Sequence, residues 1–167
     1  MKIITPKLIL FFLLNFILLS CTKEDSNVYS SENLKLIDIK ISYSPLELEI
    51  ANLIQVHRDS LGLSPLGILN TVSGVAEGHT IYMIEAGRIS HDNFEQRVFT
   101  LINYIGAKSV GENVAYGYIT ADAAVKGWLN NEEHRKIIEN PNFTHFGIST
   151  GVNSENKNYF TQIFVKK

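Results

Sequence analysis

The chain has 167 residues, 45% of them hydrophobic and 19% charged, with a formal net charge of −2. That length and apolar content suit one compact domain and argue against both a two-lobed enzyme and a disordered chain. No run or stripe of Lys and Arg is present to neutralise phosphates, so no nucleic-acid partner is expected. The single cysteine, Cys21, excludes internal disulfides, paired-cysteine redox chemistry and multi-cysteine zinc sites.

Residues 1–20 have the layout of a signal peptide: Lys2 and Lys7, an apolar run over 8–19 broken only by Asn15, then Ser20 and Cys21. The run is too short to cross a bilayer comfortably. Leu18-Leu19-Ser20-Cys21 resembles a bacterial lipobox, where cleavage leaves the cysteine as a lipid-bearing N-terminus, so Cys21 is expected to be an anchor and not a nucleophile. The expected organisation is a lipoprotein signal peptide over 1–20, a lipidated tether over 21–43 and one domain over 44–167. The expected location is extracytoplasmic, anchored to the cell envelope at the outer membrane or cell surface, with the membrane as partner through the lipid on Cys21. Within the tether, Ile37, Ile39, Ile41 and Tyr43 alternate with Asp38, Lys40 and Ser42, which predicts a short strand.

Ser44-Pro45-Leu46-Glu47 combines a capping box with proline at the first helical position. Leu46, Ile50, Leu53, Ile54, His57 and Leu61 follow at helical spacing and predict a first helix ending at Gly62. Leu69, Val72, Val75, Ala76, His79, Met83 and Ala86 mark a second. Phe94, Val98, Leu101, Ile102 and Ile105 mark a third, and Ala121, Ala124, Val125, Trp128 and Leu129 a fourth. Gly127 inside that last stripe costs about 1 kcal/mol relative to alanine, which points to close packing there. Towards the end the period changes. Phe146, Ile148, Thr150 and Val152 alternate, a polar loop follows, and 159–165 carries apolar residues on both faces. A hairpin covered on two sides implies a sheet between helical layers.

No nucleophile elbow, phosphate-binding loop, dinucleotide fingerprint or His-Glu-x-x-His motif is present, so histidines and isolated carboxylates are the candidate reactive groups. His91 lies in a polar turn between two helices, where it can face a cleft or cap the next helix. Glu112 enters an apolar run, where a carboxylate must be paired or its pKa rises. His134 follows two acids at a helix end, and His79 sits on an apolar stripe as a core histidine or a ligand. Ser90 adjoins His91 in sequence and cannot easily present its hydroxyl to the same ring, which counts against a serine-protease arrangement.

Taken together, Arg58 to Leu66, the stripe with Ala76, His79 and Met83, Ser90-His91, Gly111-Glu112-Asn113, Trp128 to Arg135, Phe146-Gly147-Ile148 and Thr161-Gln162-Ile163-Phe164 resemble the CAP superfamily, the domain of cysteine-rich secretory, antigen 5 and pathogenesis-related 1 proteins, in a bacterial single-domain lipoprotein form. The resemblance runs over about 48 to 165. It implies an α+β fold, a three-layer α-β-α sandwich around a mainly antiparallel sheet, with a cavity lined by two histidines and two acids. By position His91 and His134 match the histidines and Glu112 the first acid, while Asn131 stands where the second acid is expected. The cavity residues expected on this basis are His79, His91, Glu112, Asn131 and His134. His91, Glu112 and His134 would form at most a weak, exchangeable zinc site, since the amide of Asn131 is a poor ligand. Two functions compete: a non-enzymatic binding module for a lipid, glycan, small molecule or protein, and a zinc-assisted hydrolase or protease using His91, Glu112 and His134.

Overall fold

The computed structural model describes residues 40–167. The signal peptide, Cys21 and most of the tether fall outside the described residues. Of the strand predicted over 37–43, the described part has no regular secondary structure. Its last aromatic is instead used as a clamp, the Tyr43 hydroxyl lying 3.0 Å from Asn70 Oδ1 and 2.9 Å from Ser73 Oγ.

In chain order the elements are α1 (Pro45–Ser60), β1 (Gly67–Ile68), α2 (Asn70–Ala86), α3 (Phe94–Ile105), β2 (Ser109–Tyr116), α4 (Ala121–Asn130), α5 (Glu132–Ile138), β3 (His145–Val152) and β4 (Asn158–Lys166). The capping box forms as the sequence predicts: Glu47 N–H donates to Ser44 Oγ, and Ser44 N–H donates to Glu47 Oε2. Its other oxygen does something local patterning cannot show. Glu47 Oε1 accepts from Thr150 N–H at 2.7 Å, tying the start of α1 to β3. At the far end of α1 the fully buried Arg58 donates to Ser64 O, Ile138 O and Asn140 O, tying the loop after α1 to the end of α5 and the turn that follows it.

The four strands order as β1-β3-β4-β2, with β1 parallel to β3 and the other neighbours antiparallel. β4 contributes to both faces, as its unbroken apolar pattern requires. Phe160 and Phe164 pack with Ile50, Ile54 and Trp128 beneath α1 and α4, whereas Ile163 and Val165 pack with Val72, Ala76 and Leu101 beneath α2 and α3. This is the expected three-layer sandwich. Two glycines permit its closest approaches. A Cβ on Gly147 would lie 2.3 Å from Ser73 N, so only glycine lets β3 pass under α2. A Cβ on Gly127 would lie 2.3 Å from the Tyr118 hydroxyl, which is the close packing that this helix position implied.

Trp128 is 1% exposed, meets Phe160 edge-on at 6.3 Å and donates its indole N–H to Val114 O at 3.0 Å. Truncating it removes the largest buried side chain and orphans a buried carbonyl. Trp128→Ala should therefore lower unfolding free energy by about 3 to 5 kcal/mol, read from urea unfolding monitored by circular dichroism.

Candidate functional site

The site is built where the turn after α2, the start of α3 and the edge strand β2 meet. Glu112 projects from β2 with its side chain 1% exposed. An isolated carboxylate could not stay charged there, and two partners make it possible. Arg97, from the first turns of α3, donates Nε to Oε2 and Nη2 to Oε1, both at 2.7 Å. The Nδ1–H of His91 donates to Oε1 at 2.8 Å. A third donor group of Arg97, Nη1, bonds Asp92 O at 2.7 Å, so the same guanidinium fixes the loop that presents His91.

His79 lies beneath this arrangement and is 3% exposed. Its Nε2–H donates to Ser90 O at 2.8 Å, and the same nitrogen is 3.8 Å from Glu112 Oε1. The ring stacks on Tyr82, whose hydroxyl donates to Asp92 Oδ2 at 2.8 Å, and Arg88 pairs with the same carboxylate. Both flanks of His91 are thus pinned, at Ser90 by His79 and at Asp92 by Arg97 and Tyr82.

These contacts set the charges. Burial pushes the Glu112 carboxyl up, but hydrogen bonds from His91 and Arg97 and the positive charge of Arg97 outweigh it and hold the pKa below its ordinary value. Burial pushes His79 down, more than its bond to Ser90 O raises it, so the ring is neutral near pH 7. His134 is also lowered, first by desolvation and then by the nearby His91.

Two clefts open along β2. The first, about 480 Å³, has His91 and Phe94 on one wall, Lys136 and Ile137 on the other, and Val110 and Glu112 at its floor. The second, about 260 Å³, lies between Ile89 and His134, over Val114, Tyr116, Tyr118 and Trp128. His91 and Glu112 therefore come together as the sequence suggests, but His134 faces the second cleft and not the carboxylate. His79 lines neither cleft and acts from below as a support. Asn131 borders the second cleft, where its side-chain oxygen caps α5 by accepting from Glu133 N–H and His134 N–H.

The zinc set of His91, Glu112 and His134 does not assemble. Among the described residues no group of three or more His, Cys, Asp or Glu is arranged to hold a metal ion. Arg97 bonds both oxygens of the carboxylate that would have been the anionic ligand, and His134 lies on the other cleft. Sequence reading did not single out Arg97, although a signal was there: it lies three residues after Phe94 and four before Leu101, on the apolar stripe of α3, and a charge on a buried stripe needs a partner.

Comparison with known proteins agrees with this fold. The family model of CAP, the cysteine-rich secretory protein family, matches residues 51–164, and the chain belongs to that family. It is 35% identical over 132 residues to the uncharacterized protein YkwD of Bacillus subtilis strain 168, covering 75% of this chain and 49% of that one. It is 34% identical over 130 residues to the uncharacterized membrane protein YlbC of the same organism, covering 72% of this chain and 34% of that one. The chain thus matches a third to a half of the length of these relatives. Among solved structures, an outer surface protein of Borrelia burgdorferi superposes with a TM-score of 0.68 at 25% identity, covering 77% of this chain and 98% of that one. Among the described residues no helix is long and apolar enough to cross a membrane.

Removing Arg97 strands a buried anion. Arg97→Ala should lower stability by about 3 to 5 kcal/mol and raise the pKa of Glu112, and adding Glu112→Gln should recover part of the loss. Denaturant unfolding of the two single variants and the double variant checks this, because a double-variant loss equal to the sum of the two single losses would show the pair to be uncoupled.

The histidines predict a pH dependence of definite sign. A folded-state pKa below the unfolded value means that the stabilising contribution is complete above the unfolded value, about 6.5 for histidine, and is lost as pH falls through the folded value. Stability should thus begin to fall below about pH 6.5 as His79 and His134 are forced to charge. Protonation of Glu112 should add a further loss below the ordinary carboxylate range. Melting temperatures between pH 4 and 8 measure it, and His79→Gln should flatten the first part of the decline.

Proposed function

We propose that the protein is a non-enzymatic binding module of the cell envelope, held outside the cytoplasm by lipid on Cys21 and taking its ligand in the cleft beside His91. The state of Glu112 carries this reading. Both of its oxygens accept hydrogen bonds from Arg97, and one also accepts from His91. A carboxylate so engaged, with its pKa lowered, is a weak general base, and the same bonds take up three of its roughly four acceptor positions. Glu133, the other acid on the cleft, is exposed and paired with Lys136 at 2.9 Å. What remains is a wall with one half-exposed imidazole, an ammonium group and apolar side chains, a mixture suited to holding a ligand by shape and a few polar contacts. A lipid, a glycan, a small molecule and a protein segment all fit that description.

The envelope location is supported by the lipobox-like Leu18-Leu19-Ser20-Cys21 and by two relatives, one named as an outer surface protein and the other as a membrane protein. If Cys21 carries the anchor, Cys21→Ser should release the protein from membranes or stall its processing, seen by fractionation and intact mass. For the cleft, the protein is purified from its native envelope and denatured, and the released compounds and metals are inventoried by mass spectrometry. A stoichiometric organic ligand that is lost in His91→Ala, with the melting temperature retained, is the expected result. Hydrolysis of peptides or esters that disappears in the same variant would overturn the binding reading.

A further inference from the structure

Asn113 on β2 and Gln162 on β4 are register partners, and both are fully buried. Gln162 stands between Phe160 and Phe164 on the face that packs beneath α1 and α4, with Ile148 opposite it on β3. Asn113 shares that face, and its Nδ2–H donates to His134 O at 3.2 Å in the first turn of α5. That bond turns the amide nitrogen towards the helix and leaves the oxygen to find another partner. Among the described residues, Asn113 Oδ1, Gln162 Oε1 and Gln162 Nε2 have no hydrogen-bond partner.

Three such atoms on one cross-strand pair are rare in a folded protein, because a buried amide that gives up water without a replacement destabilises the fold. The two side chains are complementary, one offering an acceptor and the other an N–H donor, yet they do not meet. Cross-strand neighbours stand about 5 Å apart at Cβ, so a gap too wide for a direct bond is one that a small bridging molecule spans. Its chemistry is narrowly set. It must donate to an amide oxygen and accept from an amide N–H, which water does and neither a metal cation nor a simple anion does. The adjacent acid, Glu112, points to the opposite face of β2 and is held there by Arg97 and His91. Neither amide borders either cleft, so a ligand seated in them does not reach this pair.

We propose that Asn113 and Gln162 form a buried water-binding site, where ordered water accepts from Gln162 Nε2 and donates to Asn113 Oδ1 and Gln162 Oε1, and that this bridge seats α5. The site stands independently of what the clefts take. Its consequence lies in what α5 carries. The helix buries only Ile138, and it supplies Lys136 and Ile137 to the first cleft and His134 to the second. Its last residue is held by Arg58, which donates to Ile138 O. Its first turn is held to the sheet by Asn113, whose amide is free to rotate unless its oxygen is engaged as well. Water on Asn113 Oδ1 stops that rotation. Gln162, from the centre of the sheet, thereby helps to place a wall that both clefts share.

Nuclear magnetic resonance of the purified protein tests this. The side-chain amide protons of Asn113 and Gln162 should show cross-relaxation with water of the sign given by a long-lived bound molecule, and oxygen-17 relaxation dispersion counts such waters. Gln162→Met keeps an unbranched side chain of similar length and removes both polar atoms. It should lose at least one long-lived water, lower Tm by about 3 °C or more, and speed exchange of the Arg135 amide about threefold or more while leaving α2 unchanged. Absence of water cross-relaxation at both amides of the wild type overturns the site, whether or not the variant folds. A Gln162→Met protein that melts higher also overturns it, since that is what deleting a stranded amide produces. If the water is seen and then lost in the variant, but Arg135 exchange does not change, the site stands and its part in seating α5 falls.

Discussion

A guanidinium and a carboxylate buried side by side hold the half of this molecule that carries the candidate site in place. Arg97 and Glu112 come from α3 and β2, and the pair joins them through two hydrogen bonds of 2.7 Å. The same guanidinium reaches Asp92 O, and the same carboxylate holds the ring of His91. Desolvating two charges contributes little net stability even in good geometry, so the gain lies in specificity: only one placement of α3 and of the turn before it satisfies all the groups at once. The imidazole on the cleft wall is aimed by this arrangement and needs no ion to aim it.

The same pair is what favours the proposed binding reading over a hydrolytic one. Catalysis by a carboxylate needs a lone pair free to take a proton or a metal, and hydrogen bonding to the ionised form removes that freedom while lowering the pKa. A structure that commits the buried acid of its site to internal order leaves recognition to the walls and floor of the clefts. There the available chemistry is apolar side chains, one imidazole and one ammonium group.

Much of the fold was legible because most elements bury one side and leave the other wet. α1, α2, α3 and α4 each carry a single apolar stripe, and the hairpin of β3 and β4 shows its change of period. α5 was not visible: it has seven residues, of which only Ile138 is buried, too few for a helical repeat to register. β1, with two exposed residues, leaves no pattern either. At the site, His91 and Glu112 stood out in sequence because both sit in distinctive polar interruptions of apolar segments, and the structure places them 2.8 Å apart. Asn131 lines the second cleft and also caps α5, a second role that a cleft residue does not announce in sequence, and His134 lines that same cleft, a placement hidden because position along the chain does not reveal which side of β2 a side chain faces. Arg97 escaped notice because a charged residue in an amphipathic helix is ordinarily read as solvent-facing.

The place of β4 in the sheet has a consequence for how the domain comes into being. It follows every other described element in chain order, yet it lies between β3 and β2 and is the neighbour through which each of them joins the sheet. A polypeptide emerging from the ribosome therefore carries all five of these helices and three strands before the strand that unites them exists. Until then the apolar faces of α1, α2 and α4 have no completed surface to close upon, and long-range pairing must wait. The sheet can therefore close only when this last described strand is in place, so the pairings that unite the two helical layers are among the longest in sequence separation that the fold requires.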